Sequence, residues 1–194
     1  QHRPASDEGS KIKRHWFGYY DPREYKFENK KVDYYFDTAY TEEEKNDPTG
    51  GIAYVKEGAY FYVLEFYVDW MDFEAQIEFV KNFCKRNGYS YRSIARVEPK
   101  ATGKTLASTM KKGTGLNVAE GKPPKGDKVA RAHSCQGTLE GGRVLLPRGM
   151  AWVDRFLAQC AAFPNAAHDE EVDCLTGMII SESSAGIRIT STAR

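Results

Sequence analysis

Short runs of β-branched and aromatic residues crowd the first third of this chain, and four-residue apolar steps follow them. The run V-D-Y-Y-F-D-T-A at 32–39 predicts a strand. After a polar turn, G-I-A-Y-V-K-E at 51–57 and A-Y-F-Y-V-L-E-F-Y-V at 59–68, split by Gly58, predict an antiparallel hairpin. Asp72 can cap a helix in which Phe73, Ile77, Val80 and Phe83 recur at helical spacing, with Gly88 as its stop. R-S-I-A-R-V at 92–97 predicts a short strand ending at Glu98-Pro99. A helix over 102–112 follows, with Leu106 and Met110 four apart. Residues 113–126 form a Gly/Pro/Lys loop holding a short strand at 116–119. The pattern then predicts a helix over 127–136, a strand over 142–147, and helices over 150–162 and from 169 to 180. Residues 1–30 are polar, basic and aromatic without a period, and Gly18, Asp21 and Pro22 signal turns. They read as a linker or arm, leaving 31–194 as one domain. Three leading strands followed by alternating helix and strand predict an α/β fold. An RNase H-like mixed central sheet flanked by helices fits that order, with Rossmann-like sheets as competitors.

Composition narrows the class. At 194 residues with 41% hydrophobic content, the chain suits a single domain with a proper core. No apolar run approaches the ~20 residues that cross a bilayer, and no hydrophobic leader opens the chain. The missing initiator Met leads us to expect a fragment of a longer protein. Cys84, Cys135, Cys160 and Cys174 form no CxxC pair and no zinc-type cluster, which predicts buried thiols in a reducing cytoplasm. Charge is uneven beneath the formal net of +1. Between 99 and 131, Lys100, Lys104, Lys111, Lys112, Lys122, Lys125, Lys128 and Arg131 face only Glu120 and Asp127. Around the first strand the sign reverses, with Asp37, Glu42, Glu43, Glu44 and Asp47 answered only by Lys45. A polyanion-binding surface beside an acidic pocket suits a metal nuclease, although charge runs are more often solvated faces.

Phosphodiester hydrolysis by two metals needs several carboxylates converging on ions about 4 Å apart. Mg²⁺ and Mn²⁺ favour oxygen ligands, so Asp and Glu are the residue types to seek. An acid inside or ending an apolar strand is costly unless it is used. Asp37 interrupts Y-Y-F-D-T-A, and Glu98 ends I-A-R-V-E before Pro99 breaks the strand. A third acid is expected from H-D-E-E-V-D-C at 168–174, where Asp169 and Asp173 share a helix face. Taken singly, each has a bland reading: a turn for Asp37, a surface charge for Glu98, a helix cap for Asp169. Gly103-Lys104-Thr105 imitates the end of a phosphate-binding loop. Glu98 stands where that motif needs its first glycine, so nucleotide binding is not expected.

Six ordered segments carry a resemblance: Y-F-D-T-A at 35–39, V-E-P-K-A-T-G-K-T-L at 97–106, D-K-V-A-R-A at 127–132, E-G-G-R-V-L-L-P at 140–147, W-V-D-R-F-L at 152–157 and F-P-N-A-A-H-D-E-E-V-D-C at 163–174. Together the set resembles the nuclease domain of the large terminase subunit of tailed phages. That resemblance implies an RNase H-like fold and a two-metal endonuclease using Mg²⁺ or Mn²⁺. Its substrate would be concatemeric double-stranded phage DNA, cut during genome packaging in the cytoplasm of the infected host. By motif match Asp37 and Glu98 are metal ligands, and Asp169 holds the late-acid position with Asp173 as its rival. The family's usual His-Asp-Asp reads His168-Asp169-Glu170 here, so the late ligand is open between Asp169 and Asp173. Asp47 is a further candidate ligand, directly or through water, and His168 either contacts the site or packs. Lys100, Lys104, Lys128 and Arg131 are candidate DNA contacts, the last two alternatively organising the site. Trp152, Phe156 and Phe163 read as packing. Implied partners are a packaging ATPase domain, the portal and the small terminase subunit, with no membrane. Other RNase H-like nucleases such as junction resolvases, and a non-catalytic nucleic-acid-binding module, remain as alternatives.

Overall fold

Strand β2 (Val32–Asp37) is buried along its whole length, as a strand covered on both faces must be. The computed structural model describes residues 10–38, 48–99, 101–122, 126–166 and 169–183, with only the backbone of 101–105. Around β2 lie β1 (Gly18–Tyr20), β3 (Thr49–Glu57), β4 (Tyr60–Asp69), β5 (Ala95–Val97), β6 (Val118–Glu120) and β7 (Val144–Pro147). Among the described residues these make one seven-stranded sheet in the order β1-β7-β4-β3-β2-β5-β6. Strand β3 runs antiparallel to β2 and β4, and every other pairing is parallel. The parallel strands therefore end along one edge of the sheet, which carries Asp37 and, just beyond β5, Glu98.

Among the described residues five α-helices cover the two faces. Helices α1 (Phe73–Arg86) and α2 (Ala101–Gly113) pack on one side, where Tyr34, Phe36, Phe79, Phe83, Val97, Leu106 and Met110 share a core. Helices α3 (Lys128–Glu140), α4 (Ala151–Ala162) and α5 (Glu170–Ser183) close the other, over Tyr35, Ile52, Tyr54 and Leu146. Alternation along β2 thus sends Tyr34 and Phe36 one way and Tyr35 the other. Helix α1 begins as expected, with the Asp72 side chain accepting from the Ala75 amide at 2.8 Å, a cap contributing about 1 kcal/mol. Gly88 follows its end at φ +76°, a conformation that favours glycine. The RNase H-like mixed sheet flanked by helices is the fold, and no described helix is long and apolar enough to cross a membrane.

Two elements depart from expectation. Residues 10–30, expected to be part of an arm, are built into the domain. Ile12, Trp16 and Phe17 are buried in the α3–α5 core, and β1 pairs with β7 from Gly18↔Leu145 to Tyr20↔Pro147. The Tyr20 hydroxyl donates to the Val63 carbonyl at 2.9 Å, and Tyr25 stacks on Tyr62 at 4.1 Å. Isolated apolar residues that each fill one gap leave no periodicity, so pattern reading misses them. The strand expected from Arg92 starts at Ala95, because the Ser93 amide donates back to the Ser90 carbonyl in a turn.

Phe17 packs edge-on against Phe156 with ring centroids 6.1 Å apart. Phe17→Ala should cost about 3–5 kcal/mol of unfolding free energy, the range for a buried aromatic. A solvated arm would give a change near zero in the same urea titration.

Candidate active site

Glu98 sits beside Asp37 because β2 and β5 are parallel neighbours. The register runs Phe36↔Val97, and the Glu98 amide donates to the Phe36 carbonyl at 2.9 Å. Side-chain alternation turns both acids toward α5, as it does Tyr35 and Arg96. Asp37 is 5% exposed and Glu98 1%. Helix α5 crosses this spot at close range. Gly50, the cross-strand partner of Asp37, leaves room for it: a Cβ there would meet the Cys174 Sγ at 2.9 Å. The helix thereby lowers Asp173, 2% exposed, onto the same end of the sheet.

Helix α3 supplies the cations. Arg131 Nη1 donates to Glu98 Oε1 at 3.0 Å, and Nη2 lies 2.9 Å from Asp173 Oδ1. Lys128 Nζ donates to Asp169 Oδ1 at 2.5 Å and lies 3.0 Å from Asp173 Oδ2. Arg131 is itself buried, whereas the Lys128 side chain is nearly half exposed. Burial, and then the charge of Asp37, raise the Asp173 pKa above its usual value, against the opposing pull of Arg131 and Lys128. For Lys128, burial lowers the pKa, but the hydrogen bond to Asp169 and the charge of Asp173 outweigh it and leave the ammonium pKa raised. Tyr35, two residues before Asp37, sits in the field of Glu98 and Asp37. Its phenol pKa is pushed well up, chiefly by burial and then by those charges.

The structure brings Glu98, Asp173 and Arg131 into direct contact, and the Asp37 charge is felt at Asp173. Asp169 stands just before α5 with its side chain 23% exposed, tied to the others through Lys128. Asp47, Lys100 and His168 lie outside the described residues, as does the side chain of Lys104. The donor chemistry suits a hard divalent cation, since carboxylate oxygens are what Mg²⁺ and Mn²⁺ take. Among the described residues no three Asp, Glu, His or Cys side chains are arranged as a metal-holding group, and Arg131 and Lys128 bridge the acids. The residues fit such an ion in kind, with the ammonium and guanidinium standing among the acids. The four cysteines are buried free thiols, and the Cys174 thiol pKa is pushed well up, first by burial and then by Asp37.

Sequence reasoning missed several parts of this arrangement. The pattern gave no sign that Glu170 and Glu171 would be buried, at 6% and 1% exposure. A second ion cluster was equally hidden, below the first on the same face. Arg96 Nη1 lies 3.0 Å from Glu182 Oε1, and the Tyr54 hydroxyl donates to that oxygen at 3.0 Å. The alternation of Arg96 with Glu98 along one strand face was the available signal.

With this geometry in hand, comparisons decide the family. The model of the terminase RNase H-like domain matches residues 34–181. The chain belongs to that family. Among curated proteins none matches the sequence. Solved structures do. The human cytomegalovirus terminase nuclease domain, Mn soaked and inhibitor bound, is 13% identical with a TM-score of 0.61, covering 88% of this chain and 91% of that one. The large terminase nuclease from thermophilic phage G20c with bound zinc is 13% identical with a TM-score of 0.63, covering 88% and 95%. The same phage nuclease is known with bound magnesium, at 12% identity and a TM-score of 0.58, covering 86% and 85%. At such identities the likeness speaks for the fold that this terminase family shares.

Asp173 makes stability depend on pH in a stated direction. Its carboxyl pKa is raised in the folded chain, so between the ordinary 3.8 and the raised value the native state holds more protons than the unfolded state. Stability from this group therefore falls as pH rises through that window. Asp173→Asn should gain stability relative to wild type across the same window, read from paired thermal melts in a pH series. A flat difference between the two would contradict the raised carboxyl.

Proposed function

We propose that this terminase-family domain is a divalent-metal-dependent endonuclease that cuts concatemeric double-stranded DNA during genome packaging. The observation that carries the reading is the junction of Glu98 and Asp173 on one buried guanidinium, beside Asp37 at the end of an RNase H-like sheet. Buried carboxylates in such numbers are expensive and are a mark of functional sites. Asp37, Glu98 and Asp173 are the ligands. Asp173 is preferred over Asp169 because it is buried and shares Arg131 with Glu98, whereas Asp169 is the more exposed and is reached through Lys128. Asp169 and Asp47 are outer candidates.

Mg²⁺ or Mn²⁺ held by Asp37, Glu98 and Asp173 would supply activation of the attacking water and charge stabilisation at the leaving 3′ oxygen. The chain's own residues do the rest. Arg131 orients Glu98 and Asp173 and lowers the cost of gathering them. Lys128, half exposed at the rim, offers its ammonium to a scissile-strand phosphate, with Lys100 and Lys104 as further phosphate contacts. Terminase nucleases soaked with Mn or bound to zinc and magnesium support the metal assignment. The implied partners are double-stranded DNA, a packaging ATPase domain, the portal and the small terminase subunit, met in the host cytoplasm.

Mn²⁺ or Mg²⁺ should support nicking of supercoiled plasmid, and a chelator should abolish it. Asp37→Asn should fold normally yet lose more than the roughly 10–100-fold that outer partners of metal ligands carry. Equal cleavage by wild type and Asp37→Asn would sink this site. Strong preference for four-way junctions over linear duplex would redirect the reading to a resolvase.

A further inference from the structure

The Tyr35 ring lies between two glycines, and a side chain on either would crowd that ring. A Cβ on Gly177 of α5 would stand 2.2 Å from Tyr35 Cζ, 2.3 Å from Cε1 and 2.6 Å from the hydroxyl oxygen. A Cβ on Gly121, just past β6, would meet Cε2 at 3.0 Å and the Val97 carbonyl oxygen at 3.2 Å. The ring is thus bordered by a glycine on two sides and is 2% exposed. Tyr35 stands two residues before Asp37 on the same face of β2, and Gly177 stands one helical turn after Asp173 on α5. The pair of contacts therefore lies directly beside the pair of acids.

We propose that Tyr35 is a positioning residue: its ring, seated on Gly177, sets the height of α5 above the sheet. That height fixes how near Asp173 comes to Asp37 and Glu98. This rests on the reading of those acids as metal ligands. Gly50 works to the same end on the other flank, since a Cβ there would meet Cys174 Sγ at 2.9 Å and Glu170 Cβ at 3.4 Å. To go from 2.2 Å to ordinary van der Waals contact at 3.4–4 Å, ring and helix must part by more than about 1 Å. Misplacement on that scale costs converging groups on the order of 100-fold.

The test is the Mn²⁺ affinity of the full chain without DNA, by calorimetry, on variants whose fold is checked by near-UV dichroism and melting. Tyr35→Phe keeps the ring and should bind Mn²⁺ within about threefold of wild type. Tyr35→Leu removes the spacer, Gly177→Ala overfills it, and each should weaken Mn²⁺ by about tenfold or more. In the double variant the added methyl meets a shortened side chain, so Mn²⁺ should bind more tightly than to Gly177→Ala alone. Such non-additivity is the signature of two groups in contact. Folded Tyr35→Leu with wild-type affinity would overturn the proposal, as would Tyr35→Phe as weak as Tyr35→Leu. Should Gly177→Ala not fold, the two Tyr35 variants still decide. A wild-type chain that binds no Mn²⁺ would instead remove the functional reading, and this inference with it.

Discussion

Carboxylates gathered at one buried end of a sheet repel, and this fold tolerates them only because α3 brings cations among them. Two like charges 4 Å apart cost about 4 kcal/mol in a medium of intermediate polarity. Arg131 answers Glu98 and Asp173 at once with its two terminal nitrogens, while Lys128 answers Asp173 and Asp169. Pairs of this kind rarely add stability over well-packed apolar groups, yet removing one member strands the other. The packing of α3 on α5 follows from this. Cys135 and Leu139 continue the contact into the core below the charges.

Helix α5 is held by charge at both ends, to α3 at its start and to the sheet at its finish. Near its start are Asp169 and Asp173, and near its finish Glu182 reaches Arg96. Lys56 Nζ also donates to the Glu182 carbonyl at 3.2 Å. Arg96 and Glu98 alternate on one face of one short strand, so β5 contributes a cation to one cluster and an anion to the other. Between the clusters the helix meets Tyr35 and Gly50 without side-chain clearance. Polar anchors thus fix where the helix lies along the sheet, and ring-on-glycine contact fixes how far above it.

Much of this was legible in residue order. The central strands carry dense β-branched and aromatic runs, and a charge inside such a run, as at Asp37, has few inexpensive explanations. The Asp72 cap and the period of α1 follow from local chemistry alone. What stayed hidden depends on partners remote in sequence. Ile12, Trp16 and Phe17 look like scattered residues until α4 and α5 are present to receive them. Arg131 reads as one more basic residue in a basic stretch, and only the packing of α3 on α5 turns it inward. Spacing does not separate Asp169 from Asp173, which stand one turn apart at the start of α5 and differ in depth.

Among the described strands β1 comes first in the chain, yet its backbone partners lie on β7, which comes last. The central meander of β2, β3 and β4 closes over short distances, whereas joining β1 to β7 closes a loop spanning most of the domain. Long closures carry a larger entropic cost and form late. On a ribosome, Trp16 and Phe17 would emerge well before the helices that cover them. The segment carrying β1 would therefore wait, apolar and unpaired, until the rest of the sheet had assembled to accept it.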